Sequence, residues 1–352
     1  MAAAVSKVDL DLILARTRDL WSEVRGQRIF ITGGTGFFGC WLLESFLYAN
    51  RAEDLGARVT VLTRDPTSFA KKAPHLVSDP ALTLLTGDVR DFPFPEGEFR
   101  YVLHAATEAS AKQAAESPVE MLDTILRGTQ RTLEFAATRG TEKYLLTSSG
   151  AVYGPQPPSI SHMSEDYPGA PNPLNPASVY SEGKRAAELL CAVYGKTRGI
   201  ECKIARCFAF VGPHLPLDAH FAIGNFIRDA MLGQEILIRG DGTPRRSYLY
   251  AADLAIWLWT LLFRAPALEP FNVGSNEAIS ISELASEVMA AVGSRMGVRT
   301  MQTAAPGAPL LQYVPDIEKA KQQFGLRCEV SLQEAVRRTA AWHGHPFSEK
   351  AL

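Results

Sequence analysis

The sequence predicts an α/β protein with a doubly wound parallel sheet, and three observations predict it. Short apolar runs rich in β-formers, at 28–32, 58–63, 82–86, 100–105 and 143–148, alternate with segments long enough for crossover helices, and such alternation builds parallel sheets. The first run leads into Thr32-Gly33-Gly34-Thr35-Gly36-Phe37-Phe38-Gly39. The stretch from Cys40 to Leu47 that follows has the patterning of a helix with an apolar side. A strand, a glycine-rich turn and a helix start form a pyrophosphate cradle. Glycines permit the tight turn and close backbone approach, and the helix N-terminus offers unpaired N–H groups to an anion. The expectation is a dinucleotide-binding (Rossmann) domain over 28–206, preceded by a helical extension over 1–27 and followed by a smaller α/β lobe over 207–352.

In chain order, residues 8–25 pattern as an amphipathic helix with Leu10, Ile13, Leu14, Leu20, Trp21 and Val24 as its apolar positions, expected to pack on the nucleotide domain. From Gly154 to Pro176 prolines recur too densely for a regular helix or central strand. A loop this long in a compact domain is expected to act as a lid or an active-site wall. Helical patterning resumes from Val179 to about Thr197, and a further strand follows near 201–206. Beyond Pro213 the order becomes irregular, with a helix at 222–232, a strand at 236–238, a turn at Gly240-Asp241-Gly242 and a helix at 252–263. These elements are expected to form a lobe that closes over the first domain, with some segments returning to it.

The 352 residues carry a formal net charge of −2 and 21% charged side chains, which gives no reason to expect a nucleic-acid or membrane partner. Cys40, Cys191, Cys202, Cys207 and Cys328 are scattered and lack CxxC spacing, as suits reduced thiols in the cytosol. Acids interrupt the N-terminal stretch where a signal peptide would run apolar, and the most apolar helix candidate, 254–263, is too short to span a bilayer. A cytoplasmic protein is expected. His104 sits in an apolar strand end and reads as structural. His214 and His220 lack partners at metal-ligand spacing, so no metal is expected. Ser148-Ser149-Gly150 is not a Gly-x-Ser-x-Gly elbow, which argues against a hydrolase.

Tyr180-Ser181-Glu182-Gly183-Lys184 puts a phenol and an ammonium at i and i+4, on one face of a helix start. The ammonium is expected to lower the phenol's pKa and make Tyr180 a general acid/base near neutrality. Thr147-Ser148-Ser149 closes the fifth strand. Ligands bind off the carboxyl ends of strands in such sheets, so Ser149 is expected to face the cofactor. At the end of the second strand, where NAD-binding folds place an acid for the adenosine ribose, this chain has Thr63, then Arg64, then Asp65. A cation there attracts a 2′-phosphate and tips the expectation from NAD toward NADP.

On these motifs the chain resembles the extended short-chain dehydrogenase/reductases of the nucleotide-sugar epimerase/dehydratase group, from about Arg28 to Trp342. The resemblance also covers Gly87-Asp88-Val89, His104-Ala105-Ala106, Ser148 to Gly154, Gly240-Asp241-Gly242, Arg246 to Tyr250, Asp253-Leu254 and Asn272-Val273-Gly274. Residues 180–188 with Gly224-Asn225-Phe226-Ile227 are most similar to the UDP-glucuronate decarboxylase branch. The resemblance implies NAD(P) held by Gly33, Gly36, Phe37, Phe38, Gly39, Arg64, Asp88, Val89, Ala105, Ala106, Thr107, Tyr180 and Lys184, with Asp88 and Val89 at the adenine and Lys184 at the nicotinamide ribose. It implies a nucleoside-diphosphate sugar contacted by Ser149 and Tyr180 at its reacting hydroxyl, by Gly150, and by Asn225 and Arg246 at the diphosphate. It also implies a homodimer.

Three departures from that pattern bear on the reaction. The dehydratase and decarboxylase branches carry an acid two positions after the strand-end Ser/Thr, where this chain has Ala151, and dehydratases have an aspartate where it has Gly150. Many relatives carry an asparagine where it has Ala209. Glu108 is the candidate to replace the missing acids. Ser149, Tyr180 and Lys184 suffice for hydride transfer at a C–OH or C=O. The expected activity is therefore nucleotide-sugar epimerisation through a 4-keto intermediate. The alternatives are NADPH-dependent reduction of a 4-keto sugar and, with less support, dehydration or decarboxylation, or a non-catalytic nucleotide-binding regulator.

Overall fold

In the computed structural model, which describes residues 3–106, 111–219 and 221–345, a seven-stranded parallel sheet runs through the molecule. The strands are β1 (Arg28–Thr32), β2 (Arg58–Thr63), β3 (Leu82–Thr86), β4 (Tyr101–His104), β5 (Lys143–Ser149), β6 (Glu201–Cys207) and a late strand, Pro270–Val273. Their order is β3-β2-β1-β4-β5-β6 and then Pro270–Val273. The apolar runs seen in the sequence are continuous rather than alternating because helices cover both faces of a parallel sheet. Ile29, Phe30 and Ile31 are accordingly all fully buried. Strand order reverses between β1 and β4, whose carboxyl-end residues Thr32 and His104 are register partners. That reversal opens the crevice in which such folds bind ligands.

The helices that precede the late elements are α1 (Lys7–Thr17), α2 (Phe37–Ala52), α3 (Pro66–Lys72), α4 (Pro74–Val77), α5 (Ala111–Glu116), α6 (Pro118–Thr138) and α7 (Val179–Arg198). The single helix expected over 8–25 is instead α1 followed by a 3-10 helix, Arg18–Val24. The change falls where Thr17 Oγ1 bonds back to the Ile13 carbonyl and accepts the Trp21 indole N–H at 3.0 Å. The tighter winding still buries Leu20, Trp21 and Val24. The helix Ala251–Arg264 lies against α1, α2, β5 and β6 and is buried at every residue but its last. Its all-round apolarity is thus that of a core helix. Among the described residues no helix is long and apolar enough to cross a membrane.

The proline-rich segment after β5 contains no regular helix or strand apart from 3-10 turns and one bridge. It is braced rather than loose: Gln156 accepts from the Val314 N–H at 2.9 Å, and the Met163 N–H donates to the Val314 carbonyl at 2.8 Å. Those bonds fix it to a three-stranded sheet in which Arg245–Arg246 lies between Ile279–Ser280 and Gln312–Tyr313. There Arg246 is the register partner of Tyr313.

Candidate active site

The glycine-rich turn after β1 is shaped by contact. Gly33 has φ +70°, and a β-carbon on it would lie 2.5 Å from the carbonyl carbon of Ala105 and 2.7 Å from the nitrogen of Ala106. The Ala105 and Ala106 N–H groups bond to the carbonyl and the hydroxyl of Thr32. A β-carbon on Gly39 would lie 2.3 Å from Gly34, so the first turn of α2 presses on the loop itself. Gly36 caps α2 without a side-chain bond, which leaves the first N–H groups of the helix to an anion. Phe37 and Phe38 pack edge to face, and Phe38 meets Phe210 at 4.9 Å. Both rings therefore anchor the helix start. Lys72, which the sequence did not single out, donates from the end of α3 to the Thr35 carbonyl at 2.9 Å and brings a cation to the loop.

At the ends of β2 and β3, Arg64 is exposed, while the Asp65 carboxylate caps α3 by accepting the Ser68 N–H at 2.8 Å. Asp88 is gripped by Arg90 at 2.8 and 3.1 Å. Its carboxyl is held below the usual value by those bonds and, more weakly, by the charge of Arg64. Val89 is buried at the next position. Thr107 and Glu108 lie outside the described residues, as does His220.

Beside this crevice, β5 delivers Ser149 and the start of α7 delivers Tyr180 and Lys184. Burial pushes the Tyr180 phenol up to about 12, and the nearby Ser149 hydroxyl offsets part of that rise. The expected lowering by Lys184 is not seen. The ammonium lies 5.9 Å from the ring centroid and donates to the Thr147 carbonyl at 2.8 Å, and burial brings Lys184 itself down to about 8. Ser149 Oγ also accepts from the Ala151 N–H at 3.2 Å. Glu188, one turn beyond Lys184, accepts from the Ser148 hydroxyl at 2.6 Å and from Arg206 at 2.8 and 3.0 Å, and so ties β5, β6 and α7 together below the site.

Two further side chains shape the centre. The Phe208 ring lies where a β-carbon on Gly150 would go, with ring atoms 2.6–2.8 Å away. Tyr313 packs tilted against Phe208 at 4.6 Å and brings its hydroxyl to 3.4 Å from Ser149 Oγ. Neither has a local motif: Tyr313 is 164 positions from Ser149. Arg246 stands 5.8 Å from the Tyr313 ring and so borders the same centre. The Asn225 carbonyl oxygen is engaged instead by Arg228 at 3.3 Å, on the helix Ala222–Met231. His104 bridges Thr32 and Thr129 through its two ring nitrogens at 2.8 and 3.1 Å, and burial lowers it to about 3. It is a neutral strut. Among the described residues no group of three His, Cys, Asp or Glu side chains is arranged to hold a metal ion.

A parallel sheet with a switch point, a glycine cradle and a strand-end Ser beside a Tyr/Lys helix face define a nucleotide-binding oxidoreductase-type fold. The model of the NAD dependent epimerase/dehydratase family matches residues 29–274, and the chain belongs to that family. It is 31% identical over 330 residues to UDP-glucuronic acid decarboxylase 1 of Danio rerio, covering 94% of this chain and 76% of the relative. Among solved structures, dTDP-glucose 4,6-dehydratase from Streptomyces venezuelae, with NAD bound, superposes with a TM-score of 0.76 at 26% identity, covering 90% of this chain and 97% of the other. The UDP-glucose 4-epimerase of Thermus thermophilus, complexed with NAD, does so with a TM-score of 0.73 at 26% identity, covering 90% and 99%.

Proposed function

We propose that the protein is a nucleotide-sugar epimerase that works by transient oxidation of a sugar hydroxyl to a 4-keto intermediate. The observation that carries this reading is the composition of the reaction centre. Ser149, Tyr180 and Lys184 converge, while the places of the elimination and decarboxylation acids are taken by Ala151 and by Gly150 under the Phe208 ring. The chain's sequence relatives include UDP-glucuronic acid decarboxylases. A site without those acids keeps the groups that move a hydride and a proton at one carbon, and has no acid at position 150 or 151.

The glycine turn fits a dinucleotide, since Gly33 and Gly39 let the loop fold tightly against Ala105 and the start of α2, and α2 starts uncapped with its first N–H groups left to an anion. When bound, the nicotinamide cofactor would supply reversible hydride transfer. On this chain Gly33, Gly36 and Gly39 would hold its phosphates, Asp88 and Val89 its adenine, and Lys184 its ribose, with Ala105 and Ala106 also lining its site. Ser149 would hydrogen-bond the reacting hydroxyl while Tyr180 takes its proton. A phenol at about 12 is almost wholly protonated at neutral pH, so Tyr180 needs positive charge beside it to reach the phenolate that takes the sugar's proton. Lys184 is charged below about 8 and sits in the same pocket. Arg246 would bind the diphosphate in a bidentate way, with Asn225 next to it.

A second reading, reduction of a 4-keto sugar with NADPH, draws support from the end of β2. Asp65 is spent on the α3 cap and Arg64 is exposed, which favours a 2′-phosphate. Mass spectrometry of the dinucleotide released on denaturing the purified protein separates the two. Bound NAD, together with interconversion of C4 epimers when UDP- and dTDP-hexoses are supplied, supports the epimerase. An empty protein that takes NADPH far better than NADH supports the reductase. Decarboxylation of UDP-glucuronate would overturn both.

A further inference from the structure

Tyr313 is brought to the reaction centre by tertiary structure alone. Its hydroxyl lies 3.4 Å from Ser149 Oγ and 3.4 Å from the Cys207 carbonyl oxygen. Both separations are long for O–H···O bonds, so the phenol is shared between two partners rather than locked to one. A carbonyl can only accept. Tyr313 can therefore only donate toward Cys207, whereas in its contact with Ser149 either hydroxyl can be the donor. The ring packs against Phe208 at 4.6 Å, and the Arg246 guanidinium lies 5.8 Å from it. Burial raises the phenol's pKa well above its ordinary value, and it stays a neutral hydrogen-bonding group at working pH.

Ser149 has one proton and two lone pairs. One lone pair takes the Ala151 N–H at 3.2 Å, and Tyr180 is a further partner. The direction of the Ser149 O–H is therefore set by competition between Tyr180, Tyr313 and, in the working enzyme, the sugar. We propose that Tyr313 is a positioning residue of the hydride-transfer step, which holds the Ser149 hydroxyl aimed across the sugar subsite. It also couples that hydroxyl to Arg246, so that the grip on the diphosphate and the oxidation site share one side chain. The assignment rests on the nucleotide-sugar reading above.

Tyr313→Phe keeps the ring against Phe208 and removes only the hydroxyl. The expected result is a kcat lower by on the order of 10–100-fold. KM for the nucleotide sugar changes little, and the kinetic isotope effect rises when the transferred hydrogen is replaced by deuterium. An unchanged kcat and isotope effect, with only a lower Tm, means a structural residue and overturns the proposal. A readout independent of turnover is the thermal cycle of Ser149→Ala, Tyr313→Phe and the double variant. Coupling through the shared hydrogen bond requires the double variant to lose less than the sum of the singles, and strict additivity overturns the proposal. If the wild-type protein turns over no nucleotide sugar, the functional reading fails by itself. The thermal cycle then still decides whether Tyr313 and Ser149 act as a pair.

Discussion

A β-carbon placed on Gly150 would sit 2.6–2.8 Å from the Phe208 ring, so restoring an acid there is obstructed by packing as well as by sequence. Gly150→Asp is expected to cost about 1–3 kcal/mol of stability through overpacking. Adding Phe208→Ala should recover much of that loss, and urea unfolding of the single and double variants checks both. Tyr180→Phe removes the proposed acid/base while leaving the buried ring. Turnover is expected to fall by about 10²–10⁴-fold, with dinucleotide binding kept when measured by calorimetry. Retained turnover in Tyr180→Phe would remove the catalytic assignment.

The element that presents the chemistry is the unit of β5, β6 and α7, which a buried charge pair helps to tie together. Arg206 and Glu188 are bonded at 2.8 Å with only 15% and 16% of their side chains exposed. Arg206 also lies 4.7 Å from the Tyr153 ring. Burying such a pair is a poor source of net stability, but removing one partner strands the other. Arg206→Ala is expected to lose about 3 kcal/mol and to lower kcat as the Ser148–Ser149 strand end loosens. Arg206→Met with Glu188→Leu should regain most of the stability in the same denaturant titration. If Arg206→Ala unfolds at the wild-type denaturant midpoint, the pair is not what holds the three elements together.

Across the molecule, the late chain is fastened to the first domain through the helix Ala251–Arg264. Asp253, near its start, is fully buried. One carboxylate oxygen accepts from the N–H groups of Glu329 and Val330 at 3.1 and 3.3 Å, and the other has no partner among the described residues. Burial outweighs those two bonds and raises the carboxyl from 3.8 to about 7. Between those values the folded chain binds a proton that the unfolded chain has lost, so this group's contribution to stability declines as pH rises through the window. Asp253→Asn removes the dependence. Its Tm relative to wild type is expected to climb from about pH 5 to about pH 8 in scanning calorimetry. A relative Tm that stays flat over that range would mean that the two N–H groups hold Asp253 ionised.

The sheet, the glycine cradle and the Ser/Tyr/Lys set were legible in the sequence because each rests on local spacing: short apolar runs, a loop of fixed length, an i, i+4 pair. The lack of acids at positions 150 and 151 was legible too, as a matter of residue identity. What stands in their place was not. Phe208 and Tyr313 meet over Gly150 only once the strand Gln312–Tyr313 pairs beside Arg245–Arg246, and no periodicity in the chain encodes that pairing. The protonation of the site likewise emerged only in three dimensions. The spacing of Tyr180 and Lys184 argued for a lowered phenol, whereas burial of both groups raises Tyr180 and lowers Lys184. Desolvation depends on everything packed around a group, and a four-residue spacing carries none of that information.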